Sequence, residues 1–447
     1  MTEFKTISRH AASVLVGQLA VMAYSVVDTL VASRYSAASL AALSVGSAVY
    51  VSVFVALLGV MQALLPILSE HRGAKRFVEV GKSFRQALYL FAILCAVGVA
   101  VLLSPGAILR WTEVPAPMRA EVEQYLGILT LTLPPALLFR MYSTLNQSLG
   151  HPMMVTWLQI GSLALKVPLS IWFGLGGLGL DGHGAAGCAW ASVVVNYVLL
   201  AVAVWMLRTQ AIYRPYAIWR KLEPPRWGAI AEFAKIGVPG GLTMLVEVTS
   251  FTLMALFIAR LGTVASASHQ IASNMAAVLY MMPLAISVAA SARASFWLGA
   301  GDLALAKKTI RLGFWMVLVS SSAQGVLLFL AREPLAQAYS NQPEVVTMAA
   351  PLLAWVAMFH LFDGLQALCL FFLRCFKVAV APFVIYVVFL WGGGLGGGYA
   401  LAYGGWGPWP AWQTASAFWL TSSIALGATA LTLIALLVVV VRKQSKS

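Results

Sequence analysis

The stretch 11-AASVLVGQLAVMAYSVVDTLVAS-33 decides the class of this protein. Its only charged side chain is Asp28, and as a helix it is long enough to cross a hydrocarbon core of about 30 Å at 1.5 Å per residue. A carboxylate at that depth costs about 2.5–3.5 kcal/mol on insertion scales, so Asp28 has to be paired or used. Further apolar stretches of membrane length run over 40–68, 86–107, 124–149, 154–175, 186–207, 229–260, 268–292, 312–331, 346–372, 382–403 and 416–441. Each is much longer than the roughly ten residues of a barrel strand, so these are helices. Composition agrees: 447 residues, 61% hydrophobic and 10% charged, where a soluble domain carries about 25% charged residues. The first span is too long for a removable signal peptide and has no small-residue cleavage site.

The net charge of +14 would suit nucleic acid, but its distribution assigns it to topology. Twelve spans with the N-terminus inside put 22 of the 29 Lys and Arg on one face. Arg34, Arg110, Arg119, Arg260 and Arg332 fall on the opposite face, and Arg140 and Lys166 lie within spans. That bias marks a cytoplasmic face and predicts a multi-pass inner-membrane protein with both termini cytoplasmic. The four cysteines are scattered through apolar spans without a CxxC pair and read as packing residues.

Between the spans, 149-LGHPM-153 is so tight that spans four and five form a helical hairpin. The Pro-containing 111-WTEVPAPMRAEVEQ-124 and the Gly-rich 175–186 read as outer loops. The basic, aromatic 208-RTQAIYRPYAIWRKLEPPRW-227 reads as a solvated linker on the inner membrane surface. It divides the chain into an N-lobe of helices 1–6 (1–207), a cytoplasmic linker (208–228) and a C-lobe of helices 7–12 (229–447). A weak repeat at an offset of about 226 residues sets Arg34 on Arg260, Ser47 on Ser273 and Gly73 on Gly299. The fold expected is an all-α membrane protein, twelve transmembrane helices in two six-helix lobes related by a pseudo-two-fold axis along the membrane normal.

Three of the 15 Asp and Glu lie inside spans: Asp28, Glu247 and Asp363. Glu247 is about ten residues past Gly237, roughly 15 Å into the core and so near the midplane. His360 and Gln366 flank Asp363 at spacings of three residues, on one helix face. Oxygen ligands suit a dehydrated Na+, and a desolvated carboxylate can also take and release a proton. Glu247 and Asp363 are therefore the expected cation-coupling pair. Lys166, in 162-SLALKVPLSIWF-173, reaches Asp28 if spans one and five are neighbours, making a gating or structural ion pair. The repeat sets Met254 at the position equivalent to Asp28, so the C-lobe has no copy of it. Tyr24, Arg140, Phe251, Tyr280 and His360 are candidates for lining a substrate cavity, with Met281, Met282 and Trp190 as further apolar candidates. No catalytic constellation, resident metal site or ATP-hydrolysing domain is expected, so the chain is not read as an enzyme.

The stretches 18-QLAVMAYSVVDTLVASRYSAASLAALSVGSAV-49, 238-VPGGLTMLVEVTSF-251 with 268-SHQIASN-274, and 359-FHLFDGLQALCLFFLRCFK-377 resemble the MATE (multidrug and toxic compound extrusion) transporters, with the bacterial NorM branch nearest. The resemblance covers nearly the whole chain. It implies export of cationic lipophilic compounds driven by inward Na+ or H+, no cofactor beyond that ion, the bilayer and small cationic substrates as partners, and a monomer. It matches Asp28, Glu247 and Asp363 to the family's membrane carboxylates. Lys166 stands where the family commonly has Asn, Ser170 where Asp or Asn is frequent, and Cys375 where Gly follows Leu-Arg. The Gly-rich 392-GGGLGGGYAL-401 replaces a Pro-containing helix. The alternative reading is a flippase of lipid-linked oligosaccharide from the same wider superfamily, toward which Arg140 and Lys166 point.

Overall fold

The computed structural model describes residues 2–106, 116–177, 179–405 and 410–445. Among the described residues, fifteen helices carry the fold. They are α1 (Glu3–Tyr35), α2 (Ala37–Met61), α3 (Leu64–Gly73), α4 (Phe77–Leu103), α5 (Ala116–Thr130), α6 (Leu133–Leu149), α7 (Pro152–Leu175) and α8 (Gly184–Thr209). They continue as α9 (Trp227–Ala259), α10 (Thr263–Gly299), α11 (Leu303–Leu330), α12 (Arg332–Tyr339), α13 (Pro343–Cys375), α14 (Val380–Gly404) and α15 (Ala415–Gln444). Among the described residues, eleven helical segments are long and apolar enough to cross a membrane, with α2 and α3 counted as one, and the bent pair α5–α6 makes twelve. The outer loop 111–124 is corrected from residue 116 onward, where α5 has already begun, and its first part lies outside the described residues. A two-residue antiparallel pairing, Gly176–Gly177 with Leu180–Asp181, closes the Gly-rich loop.

The 44° bend between α5 and α6 has a local cause. Pro134 and Pro135 open α6, and neither has an N–H for the carbonyls one turn earlier. The stretch 124–149, read as one span, is this bent pair. The Gly-rich stretch behaves differently: α14 is a π-helix over Val387–Gly396 and again over Ala400–Gly404. Six glycines between Gly392 and Gly398 remove the side chains that would hold an α-helical wind.

Residue contacts divide the chain into two compact units. One comprises Val16–Gly241, the other Met1–Leu15 with Leu242–Ser447, so α1 and α9 each contribute to both. In the second unit the most extensive packing joins α10 and α13. Over residues 283–295 α10 is buried on nearly every side, and most of its buried residues there are small: Ala285, Ser287, Ala289, Ala290, Ser291, Ala292, Ala294 and Ser295, beside Leu284, Ile286 and Val288. Lipid is as apolar as a leucine side chain, so association here comes from close packing of small residues. Trp419 and Phe418 of α15 are fully buried and pack against Phe251, Phe257 and Phe359.

The basic connection between α8 and α9 is largely exposed, as its composition implies, but it is pinned to the helices at several points. Tyr213, Tyr216 and Ile218 are buried. Arg85 of α4 donates to Glu223 through both Nε (2.8 Å) and Nη2, and to the Ala217 carbonyl through Nη1. Gln86 donates to the Pro224 carbonyl (3.1 Å) and accepts from the Arg226 amide (2.7 Å). Tyr213 donates to Asn146 of α6 (2.8 Å). Glu223 lies outside the spans, and its hydrogen bonds from Arg85 hold its carboxyl down at about 2. Composition alone reads as solvated; the side-chain partners that pin this segment lie about 70 to 140 residues away in sequence.

Candidate functional site: two membrane-embedded carboxylate clusters

In the Val16–Gly241 unit, α1 and α7 run side by side. Tyr24 hydrogen-bonds Ser162, and one turn further along both helices Lys166 Nζ stands 2.8 Å from Asp28 Oδ1. Lys166 is completely buried. Its other two protons go to the Cys188 carbonyl (2.9 Å) and Ser192 Oγ (2.7 Å) of α8. Ser170 Oγ donates to Asp28 Oδ1 at 2.9 Å. An ammonium has three donors, and all three are used. The local sequence permits this: Gly187 of α8 lies against the Phe173 carbonyl with no room for a Cβ, so α8 comes close enough for its backbone to reach Lys166. Asp28 thus carries its own tethered cation, and a second cation has to displace it.

In the other unit, Glu247 of α9 and Asp363 and Gln366 of α13 line one pocket with Ser250, Phe251, Phe359 and Gly394. Its cavity volume is about 30 Å³. That is room for a few waters or a small ion. Gln366 Nε2 donates to Asp363 Oδ1 at 3.0 Å, while its Oε1 is buried without a partner. Among the described residues no lysine or arginine lies within ion-pair distance of Glu247 or Asp363. The pocket therefore offers carboxylate and amide oxygens. Gly364 fixes the height of Asp363: a Cβ there would stand 2.6 Å from Ser321 Oγ and 3.1 Å from Pro283. Trp391 of the π segment donates to the Val246 carbonyl (3.3 Å), tying α14 to the turn that carries Glu247.

The remaining predicted residues are placed as follows. Phe251 lines the pocket and meets Phe359 edge-on at 5.8 Å. Tyr280 lies within electrostatic reach of Glu247 and Asp363 without lining the pocket. His360 points elsewhere, with Nε2 at 3.1 Å from Gln324 Oε1 of α11. Spacing of three residues set His360 with Asp363, but that face is wide enough to be shared between two neighbouring helices. Tyr24 is engaged by Ser162. Arg140 is half-buried on α6, its Nε shielded and without a hydrogen bond. Met282 lines an outer groove, and Trp190 is 46% exposed.

Sequence reasoning missed Arg374 and Tyr386. Arg374, assigned to a cytoplasmic loop, is buried in the last turn of α13 beside the Phe371 ring (5.3 Å) and within electrostatic reach of Glu247. Tyr386 is fully buried and within reach of both carboxylates. The available signal was 370-LFFLRCF-376, in which this arginine has apolar neighbours on both sides.

Comparison with known proteins agrees with this architecture. The MatE family model matches twice, over residues 14–172 and 239–395, two copies set apart by nearly the offset of the internal repeat. A "Probable multidrug resistance protein NorM" of Aromatoleum aromaticum is 36% identical over 394 residues, covering 88% of this chain and 85% of that protein. "Multidrug resistance protein PmpM" of Pseudomonas aeruginosa is 29% identical over 426 residues, covering 92% and 87%. Among solved structures, the eukaryotic MATE transporter AtDTX14 superposes with a TM-score of 0.88 at 18% identity, covering 99% of this chain and 98% of its own. The Vibrio cholerae MATE transporter VcmN in the bent form gives 0.85 at 16% identity, covering 99% and 97%. A multi-pass helical membrane protein with a membrane-embedded carboxylate site in each unit, matched twice by the same family model, is a transporter and not an enzyme: the chain belongs to the MATE family.

Proposed function

We propose that this protein is a secondary active multidrug efflux antiporter of the cell inner membrane, both termini cytoplasmic, exporting cationic amphiphilic compounds in exchange for Na+ or H+. The relatives' name, multidrug resistance protein, supports the efflux reading. The observation that carries the coupling assignment is the pocket of about 30 Å³ holding Glu247, Asp363 and the free Gln366 oxygen. Its size suits a dehydrated Na+ or a proton with water. Asp28, already paired with Lys166, acts as a gating or structural acid. That pairing also weakens the flippase alternative, because one of its two cations is neutralised internally.

Dye efflux from proteoliposomes under an imposed Na+ or pH gradient tests the proposal. Transport should follow one of the two gradients and collapse in Glu247→Gln and Asp363→Asn. Gradient-driven efflux that survives both substitutions removes the coupling assignment. Unchanged tolerance to ethidium-like and fluoroquinolone-like compounds in an efflux-deficient host removes the multidrug reading.

A further inference from the structure

The outer face of α11 carries a feature that the transport reading does not use. Lys307, Arg311 and Trp315 follow each other at intervals of four residues, so they form one stripe along the helix. Two apolar grooves flank that stripe, and Trp315 is a wall of both. One groove, of about 470 Å³, lies between α11 and α15 and is lined by Phe314, Ile434, Leu437 and Val438. The other, of about 490 Å³, lies between α11, α10 and the first turns of α1, with Phe4, Leu15, Met282 and Val319 among its walls. Trp315 is 60% exposed, a ridge standing out from the protein.

The charges converge at one end only. Lys307, Arg311 and Arg442 all line the mouth of the first groove, and no carboxylate lines either groove. Among the described residues none of these three makes an ion pair. Nearby Arg293 is the contrast: Glu3 accepts from its Nε (3.1 Å) and Nη2 (2.5 Å), so its charge is taken. From Lys307 to Trp315 the helix climbs eight residues, about 12 Å, which is close to the roughly 15 Å hydrocarbon depth of a single leaflet.

We propose that this face binds an anionic diacyl phospholipid, its phosphate held by Lys307, Arg311 and Arg442 and one acyl chain laid on each side of Trp315. Charge complementarity selects this occupant: three cations at the interface over apolar channels of leaflet length match a headgroup phosphate over two tails. An ordinary annular lipid needs none of this, since any apolar helix face accepts any headgroup. The site is independent of the coupling pocket.

Native mass spectrometry of the full chain in detergent, titrated with dioleoyl phosphatidylglycerol or with dioleoyl phosphatidylcholine, tests the site. The wild type should retain the anionic lipid at least about five-fold better than the zwitterionic one. Lys307→Ala with Arg311→Ala should bring the two to parity, while Arg220→Ala with Lys221→Ala, exposed on the linker, should leave the preference intact. Equal retention of both lipids by the wild type, an unchanged preference in the Lys307/Arg311 variant, or an equal loss in the linker variant each overturns the site. The wild type should also favour the diacyl lipid over its single-chain lyso form, and Trp315→Ala should shrink that difference. An unchanged diacyl preference there overturns the two-groove placement of the chains.

Discussion

Asp28 and the pair Glu247/Asp363 are all carboxylates inside membrane helices, yet they are solved in opposite ways. Asp28 accepts from Lys166 and Ser170, and every proton of that lysine is engaged. Glu247 and Asp363 share a pocket with no lysine or arginine at ion-pair distance and with an amide oxygen left open. A carboxylate with a built-in cation is structural or switch-like, because its charge is cancelled without a ligand. Two carboxylates without one hold a charge that an arriving ion can cancel. The teaching is that depth in the membrane marks an acid as unusual, but its partners decide what it does.

The comparison is most exposed to substitutions that change partners. Lys166→Ala should strand Asp28 and cost about 3–5 kcal/mol, the scale for breaking one side of a buried ion pair. Replacing both partners, Asp28→Asn with Lys166→Met, should recover most of that loss. Thermal unfolding in detergent reads both, and a Lys166→Ala protein as stable as wild type removes the structural role of the pair.

Next in size is Gly364→Leu. The added side chain meets Ser321 and Pro283, so packing of α13 on α10 and α11 should lose about 1–3 kcal/mol, with transport falling alongside because Asp363 moves. A tolerated leucine would mean that the height of Asp363 is set elsewhere.

Glu247→Gln should do the reverse of Lys166→Ala. It removes one of two like charges, so stability should hold or rise, while affinity for the coupling cation should drop at least about ten-fold, the cost of one charge-assisted ligand. Tryptophan fluorescence titrated with Na+, or with pH, measures that affinity. Loss of stability with intact affinity would exchange the roles of the two clusters.

The smallest effect serves as a control outside the membrane. Glu223 is held at about 2 by Arg85, below its ordinary 4.5. Its contribution is fully present above about pH 4.5 and is lost as pH falls through the folded value near 2. The protection factors of the linker amides, the intrinsic exchange rate at each pH divided by the observed one, should therefore fall slightly from pH 4.5 to 2 in the wild type, and Glu223→Gln should flatten that dependence. A flat wild-type profile would show that the aromatic contacts alone pin the linker.

Much of this protein was legible from the chain. Lipid cannot hydrogen-bond a backbone, so the long apolar stretches had to be helices, and the Lys and Arg bias ordered them. The same rule singled out Asp28, Glu247 and Asp363, since each is a charge that apolar neighbours in sequence cannot satisfy. Even the residues of the family resemblance were readable in order.

What the chain could not state is which distant group meets which. Arg374 looked like a span boundary until α13 proved to be buried around its whole last turn. Nothing in the linker's composition named Arg85, Gln86 and Asn146 as the partners that pin it. His360 shared a spacing with Asp363 but faces Gln324. Helical periodicity gives direction only to within a broad face, whereas a hydrogen bond is decided within a few tenths of an ångström. Sequence alone determined that three acids had to be accounted for; tertiary packing alone decided that Lys166 answers one of them and that the other two are left open, because those partners come from helices far apart in the chain.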